Sequence, residues 1–380
     1  FLRFSQTNSF DAIYGGSESN VATSLANYGV PVDFITRLPE NDIGYCALME
    51  MRKRGINTSN IIFGGNRLGI YFLETGAISR ASKVVYDRAH SAMSEIEPGM
   101  VDWSEVFKGA QWFHWTGITP AISQSAADAC LEAVRVASSM GITISTDLNY
   151  RAKLWNYDGD CESIMTELTS YCDIILGNEE DAEMHFGIKP EGFDITTQGE
   201  DVKAEDFLSV CQQMQAKFPR AKKVITTLRG SISASHNTWA GVLYDGKKMY
   251  ESAQYQITHI VDRVGGGDSF MGALIYGLIH YPEDDQKVLD IAKQLGVKIP
   301  FIRPDNLSTD NALTVDVINH VLKWYQSKYK VLPENLMLLQ PTSPFRDAND
   351  IRLAINQFKK SNRKFQKLSG VRLNKYGYLL

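Results

Sequence analysis

Short runs of apolar, β-branched residues that end in polar ones alternate along this chain with longer stretches of helical apolar spacing. "ITISTDLNYR" (142–151), "CDIILGNEED" (172–181) and "KKVITTLRGS" (222–231) each read as a buried strand whose last residues turn polar where a loop or helix begins. Strands alternating with helical patterns predict an α/β architecture with parallel pairing. In open sheets of that kind ligands sit beyond the carboxyl ends of the strands, which sends Asp147, Asn149, Arg151, Asn178, Glu180, Thr227 and Arg229 towards one edge. Between Gly64 and Met93 the pattern changes. "GIYFLETGAISRASKVVYDRAHSAM" alternates apolar and polar residues around a glycine turn, as a partly exposed antiparallel ribbon does, and a lid is one use of such a ribbon. "GVLYDGKKMYESAQY" predicts a second hairpin, turning at Asp245-Gly246. "WFHWTG" (112–117) reads as the end of a buried strand.

Two glycine clusters interrupt the alternation. In "YGGSESNVATSLANYG" (14–29), Gly15 and Gly16 precede a short polar turn, Asn20 is expected to open a helix of small residues, and Gly29 with Pro31 beyond it marks the stop. In "VDRVGGGDSFMGALIYGL" (261–278) three glycines stand before an apolar helix expected to begin at Ser269. If Gly265, Gly266 and Gly267 end a strand there, three unhindered N–H groups converge on an anion and the helix dipole adds partial positive charge. Asp268 then stands at the mouth of a phosphate nest, where phosphoryl transfer needs a base. A tight turn with Asp268 as a helix cap accounts for the same stretch without chemistry.

Composition narrows the field. With 380 residues, 44% of them apolar and 22% charged, the chain can bury one large core or two and is of the ordinary globular class. A net charge of −5 gives no electrostatic reason for a nucleic-acid partner, and the basic run near Lys359 to Lys367 reads as a solvated helix face. Five widely spaced cysteines without a C-x-x-C pair suggest neither a disulfide framework nor a thiolate metal site, and fit a reducing cytoplasm. No apolar run approaches the roughly 18 residues that span a bilayer, so no membrane association is expected. His90 and His114 lack metal-ligand spacing and read as structural. The opening "FLRFSQTNSF" has neither an initiating methionine nor a basic leader, and reads as a cut N-terminus.

The two glycine segments together resemble the paired signatures of the ribokinase-like (PfkB) carbohydrate kinases, and most closely those of the 2-keto-3-deoxygluconate kinases within that family. "FDAIYGGSESNVA", "GIYFLE", "VVYDRAHSA", "DLNYRAKLW", "GNEEDAE" and "VDRVGGGDSF" are similar to its segments, in its order, over about residues 1–287. The resemblance implies a central, mostly parallel sheet flanked by helices, with a small β lid over about 64–93. It implies transfer of phosphate from ATP, with Mg²⁺, to the primary hydroxyl of a sugar acid. Asp268 would take the proton and the amides of Gly265, Gly266 and Gly267 would stabilise the transferring group. Gly15, Gly16 and Asn20 would line the sugar site, with Tyr71 and Tyr86 packing from the lid. Arg88 and Arg151 are the candidates for the substrate's carboxylate, because a guanidinium meets it with two parallel hydrogen bonds. Asn178 and Glu180 would lie near the phosphates and hydrated Mg²⁺, with Thr227, Arg229 and Ser231 along the nucleotide. The family's N-x-x-E spacing lands on Asp181, which leaves open whether Glu180 or Asp181 serves the metal; either also suits the first turn of a helix. A homodimer through the lid is implied as well.

The last quarter departs from that pattern. "IAKQLGVKIPFIRPDNLSTDNALTVDVINHVLKW" and "NLMLLQPTSPFRDANDI" resemble the interior of the acylneuraminate (CMP-sialic acid) cytidylyltransferases. By that likeness Arg303, Asp310 and Thr314 would lie near a nucleotide and Gln340 near a sugar acid. Residues 288–380 are therefore expected to form a partial, α/β nucleotidyltransferase-like segment. The opening phosphate loop and the later metal carboxylates of those enzymes are missing, so the nucleotidyltransferase half cannot be built; the kinase at 1–287, without the family's adenine-closing helices and first strand, would itself be incomplete at both ends and its activity impaired. A CTP-dependent nucleotidyltransferase and a catalytically incompetent chimera are the alternatives. "TVDVINHVLKWYQSKY" predicts an amphipathic helix.

Overall fold

Side chains of opposite parity along the central strands enter different cores, which places a sheet in the middle of the fold. Ile174, Leu176, Ile225 and Leu243 pack with one set of helices, whereas Ile144, Ile175 and Val224 pack with another. The computed structural model describes residues 2–76, 82–189, 207–228, 231–233, 236–252, 254–257, 264–288, 314–331 and 355–356, with only the backbone for 179, 231–233, 236, 237, 314 and 315. It divides into two compact units, Phe1–Val297 and Lys298–Leu380.

In the first unit the helices are α1 (Ser17–Asn27), α2 (Asp42–Lys53), α3 (Trp103–Val106), α4 (Ile118–Ala121), α5 (Gln124–Ser139), α6 (Cys161–Thr169), α7 (Glu179–Phe186), α8 (Leu208–Lys217) and α9 (Gly266–His280). The strands are β1 (Arg37–Leu38), β2 (Ile62–Phe63), β3 (Ile70–Glu74), β4 (Lys83–Asp87), β5 (Trp112–Thr116), β6 (Thr143–Asp147), β7 (Ile174–Gly177), β8 (Lys223–Leu228), β9 (Ser231–Ser233), β10 (His236–Tyr244), β11 (Met249–Glu251) and β12 (Tyr255–Ile257). Strands β5 to β8 pair in parallel and in chain order. Strand β10 then pairs antiparallel with β8, β9, β11 and β12. The sheet is mixed, a correction to the mostly parallel one expected. The reason is connection length: a parallel return needs a dozen or more residues, and the short links after β8 permit only antiparallel return. The hairpin at Asp245-Gly246 forms as expected, with Gly246 at φ 90° and Asp245 Oδ1 accepting from the amides of Lys247 and Lys248.

Helices α5 to α8 cover one face of the sheet through Ala133, Val134, Met165, Phe186 and Met214. Helices α1 and α9 cover the other through Val21, Leu25, Met271 and Leu274. These two helices lie against each other so closely that a Cβ on Gly272 would fall 2.7 Å from Ser24 Cβ. Strands β3 and β4 form the expected antiparallel ribbon, Tyr71 opposite Tyr86. Alternation puts Tyr71, Tyr86 and Arg88 on one of its faces and Ile70, Phe72 and Val85 on the other.

Of the second unit, helix α10 (Thr314–Tyr329) is described, at the place where the amphipathic pattern predicted it. Arg303, Asp310 and Gln340 lie outside the described residues, as does Arg229. Among the described residues no helix is long and apolar enough to cross a membrane, and no group of three His, Cys, Asp or Glu side chains is set to hold a metal ion. The five cysteines are free.

Candidate active site

Both glycine turns become helix starts, and both helices begin earlier than the sequence suggests. Helix α9 opens at Gly266 rather than Ser269, with Gly265 as its N-cap in the left-handed region, φ 81°. Helix α1 opens at Ser17 rather than Asn20, behind Gly16 at φ 153°, ψ 150°. Side-chain-bearing residues rarely adopt either conformation, so glycine is required at both caps. Asp268 is consequently the third residue of α9 and not its cap. The amides of Gly266, Gly267 and Asp268 have no carbonyl within the helix to pair with, and they sit at the positive end of a 15-residue dipole.

Because α1 and α9 pack side by side, their first turns meet. Asp268 Oδ1 accepts from Ser17 Oγ at 2.6 Å and Oδ2 from Asn20 Nδ2 at 2.7 Å. Asn149 Nδ2 donates in turn to Ser17 Oγ at 3.0 Å. Burial raises the pKa of Asp268, and the Glu18 charge adds to that; the bonds from Asn20 and Ser17 and the Arg151 charge work the other way. Asp147, at the end of β6, is pushed well above the usual carboxylate range by burial and by Asp181 and Asp268. Glu18 Oε1 accepts from the Thr116 amide at 3.2 Å and from the hydroxyls of Thr116 (2.9 Å) and Thr119 (2.7 Å), tying α1 to the end of β5.

The loop after β6 carries Asn149 and Arg151, and it is held from beneath. His185 Nε2 donates to the Leu148 carbonyl at 3.0 Å, and burial pushes its pKa down to about 4. Arg151 is exposed and donates to the Tyr150 carbonyl at 2.7 Å. Arg88 lies against the rings of Tyr71 and Tyr86, 5.7 and 5.1 Å from their centroids. Burial lowers its pKa, and the positive charge of Arg151 lowers it further. Among the described residues Arg88 has no carboxylate in ion-pair contact.

At α7 the structure separates the two acids that the sequence left as alternatives. Asn178 and Asp181 form a capping box: Asp181 N donates to Asn178 Oδ1 and Asn178 N to Asp181 Oδ2, both at 2.8 Å. Asp181 Oδ1 accepts from Tyr150 N at 2.7 Å. Both its oxygens thus serve backbone amides, whereas Glu180 is exposed. Thr227 lies on β8 opposite Gly241, and Ser231 begins β9. Ser17 and Glu18 are not singled out by the sequence, which places Asp147 and Asn149 at the ligand edge of the sheet without giving either a chemical role. The i, i+3 spacing of Ser17 and Asn20 on one helix face was the available signal for Ser17.

A model of the pfkB family of carbohydrate kinases matches residues 4–299. A curated relative, 2-dehydro-3-deoxygalactonokinase of Haloferax volcanii, is 28% identical over 277 residues, 73% of this chain and 79% of its own. The crystal structure of 2-dehydro-3-deoxygluconokinase from Thermotoga maritima is similar at a TM-score of 0.71 and 44% identity, over 77% of this chain and 86% of that one. A PfkB family carbohydrate kinase from Listeria grayi is similar at 0.67 and 34% identity, over 77% and 87%.

Proposed function

The chain belongs to the pfkB family of carbohydrate kinases, and on that premise we propose that it transfers the γ-phosphoryl group of ATP to the primary hydroxyl of a sugar acid, 2-keto-3-deoxygluconate first among them. One observation carries the sugar-acid part: Arg88 is a partly buried guanidinium lying against two tyrosine rings, with no carboxylate partner among the described residues. A desolvated cation in a lid calls for an anion from outside, and a carboxylate meets its fork of donors. Arg151, close enough to depress the pKa of Arg88, gives the same anion a second contact. The relatives named for acting on 2-dehydro-3-deoxy sugar acids support the same substrate class.

In this reading Asp268 accepts the hydroxyl proton while the oxygen bonds to the γ-phosphorus and the bond to the ADP oxygen breaks. The amides of Gly266, Gly267 and Asp268, which have no carbonyl within the helix to pair with, stabilise the charge that develops on the transferring group, with Gly265 shaping the turn. Gly15, Gly16 and Asn20 border the sugar; Asn178, Thr227, Arg229 and Ser231 are assigned to the nucleotide. The donor set suits a magnesium ion that arrives on the nucleotide phosphates, with Glu180 as the carboxylate left to face its water shell. Such an ion neutralises phosphate charge.

Residues 288–380 are assigned to a separate segment, and the end of the first unit at Val297 and of the family match at 299 support a boundary in that region. Its cytidylyltransferase-like character rests on the sequence motifs alone. A homodimer through the apolar lid face of Ile70 and Val85 and a cytoplasmic setting complete the proposal. The test is ADP release from Mg-ATP with a panel of 2-keto-3-deoxy sugar acids and neutral sugars, run beside pyrophosphate release from CTP with sialic acid. Turnover confined to sugar acids is expected; turnover of neutral sugars alone, or of CTP alone, overturns it.

A further inference from the structure

Ser17 is the middle member of a three-residue chain whose polarity is fixed by chemistry. Asn149 Nδ2 donates to Ser17 Oγ, and Ser17 Oγ lies 2.6 Å from Asp268 Oδ1. An amide nitrogen only donates, so the serine oxygen receives on a lone pair and has its single proton left to give to the carboxylate. Asn20 Nδ2 donates to the other oxygen. Both oxygens of Asp268 therefore meet hydrogens, an arrangement that fits the ionised carboxylate and opposes the acid form. Ser17, Asn149 and Asp268 are each only 8% exposed. Asn149 reaches its place from the left-handed backbone region, φ 41°, where asparagine is among the better-tolerated side chains and where strain collects at functional sites.

We propose that Ser17 is a positioning residue for the base: oriented by Asn149, its hydroxyl aims the Asp268 carboxylate and holds it ionised, leaving a second lone pair on each oxygen for the substrate's proton. This rests on the reading of Asp268 as the base of phosphoryl transfer. Ser17 itself neither gains nor loses a proton in the step. The charges that face Asp268 are Glu18 from α1 and Asp147 from β6, which oppose its ionisation, and Arg151 from the loop after β6, which favours it. Burial opposes it most. Ser17 and Asn20 are the hydrogen-bonding counterweight.

The test uses the whole chain labelled with ¹³C at the aspartate carboxyls, the Asp268 resonance being identified by its loss in Asp268→Asn. Its titration is followed in the wild type, in Ser17→Ala and in Asn149→Gly, the glycine keeping the left-handed backbone free of strain. Loss of one hydrogen bond to the charged form is expected to raise the midpoint by about one pH unit in Ser17→Ala. Asn149→Gly is expected to raise it as well, although Asn149 does not touch Asp268. In steady-state assays the acid limb of kcat/KM moves up with the midpoint while KM for the sugar acid holds. A residue with a merely structural role would lower the melting temperature and leave the midpoint in place; that result in both variants overturns the proposal. If the wild type turns over no sugar acid and the midpoint still rises, the kinase reading falls while the control of Asp268 by Ser17 stands.

Discussion

Asn20 and Asp268 are 248 positions apart in the chain and 2.7 Å apart in space, amide nitrogen to carboxylate oxygen. The contact exists because α1 and α9 share one face of the sheet and start at the same edge of it. Two helix N-termini that open behind glycines thereby bring a buried carboxylate and a set of first-turn amides without intrahelical partners to one place.

Asp268→Asn is expected to lower kcat by about 10²–10⁴-fold, the range of a lost general base, and at the same time to raise the melting temperature. Burial holds this carboxyl above its ordinary range. A carboxyl with a raised folded-state pKa gives its full stability only below its unfolded pKa, and that stability is lost as pH rises through the folded value. At neutral pH the ionised carboxylate therefore burdens the fold, and the neutral amide removes that burden once Asn20 turns its own amide to present Oδ1 to the new Nδ2–H. ADP release and thermal melting on the same preparation check both halves.

The same shift sets a pH dependence. With Asp268 as the proposed base, which must be ionised to accept a proton, kcat/KM is expected to fall towards acid pH with a midpoint above 3.8, the ordinary value for an aspartate. A pH profile of kcat/KM in the wild type locates that midpoint.

Arg88→Met keeps the apolar stem against Tyr71 and Tyr86 and removes the charge. KM for the sugar acid is expected to rise about 10–100-fold, as for a lost hydrogen bond to a charged group. The melting temperature should change little or rise, because a guanidinium without a carboxylate partner among the described residues is no longer desolvated. Kinetics with the sugar acid and a reduced analogue lacking the carboxylate separate charge recognition from packing.

Gly272→Ala tests the contact between α1 and α9. Alanine in a helix interior gains about 1 kcal/mol of propensity over glycine, yet its Cβ would lie 2.7 Å from Ser24 Cβ and 3.4 Å from the Val21 carbonyl oxygen. Overpacking costs about 1–3 kcal/mol, so a net loss of stability is expected in chemical denaturation. Activity should fall with it, since separating the helices draws Ser17 and Asn20 away from Asp268.

Glu180→Gln and Asp181→Asn are expected to diverge. The first should raise the Mg²⁺ concentration needed for half-maximal rate and leave melting unchanged. The second breaks a capping box and a bond to Tyr150 N, and should lower stability by about 0.5–2 kcal/mol with little change in the Mg²⁺ requirement. Magnesium titrations and melting curves on the pair distinguish metal service from backbone service.

Local chemistry was legible in the chain wherever neighbours in sequence settle it. The Asp245-Gly246 turn, the alternation that sets Tyr71 beside Tyr86, and the strands ending near Asp147 and Gly177 all follow from side-chain period and turn residues. Helix starts were less legible. Glycine is a poor helix former, so Gly266 and Gly267 read as turn, but packing of the following apolar residues against α1 extends α9 back over them. The capping-box spacing of Asn178 and Asp181 was present in the sequence and was overshadowed by the metal role that the family pattern suggests for the same position.

By itself, then, the sequence determined the alternation of strands and helices, the antiparallel ribbon and the Asp245-Gly246 turn, because each depends on residues a few positions apart. Only the tertiary structure decided that Ser17 and Asn20 hold Asp268, that Asp181 is spent on backbone amides, and that Arg88 has no carboxylate partner among the described residues. Those outcomes depend on which helix faces which across a sheet, a choice made by the burial of whole apolar faces rather than by any local pattern.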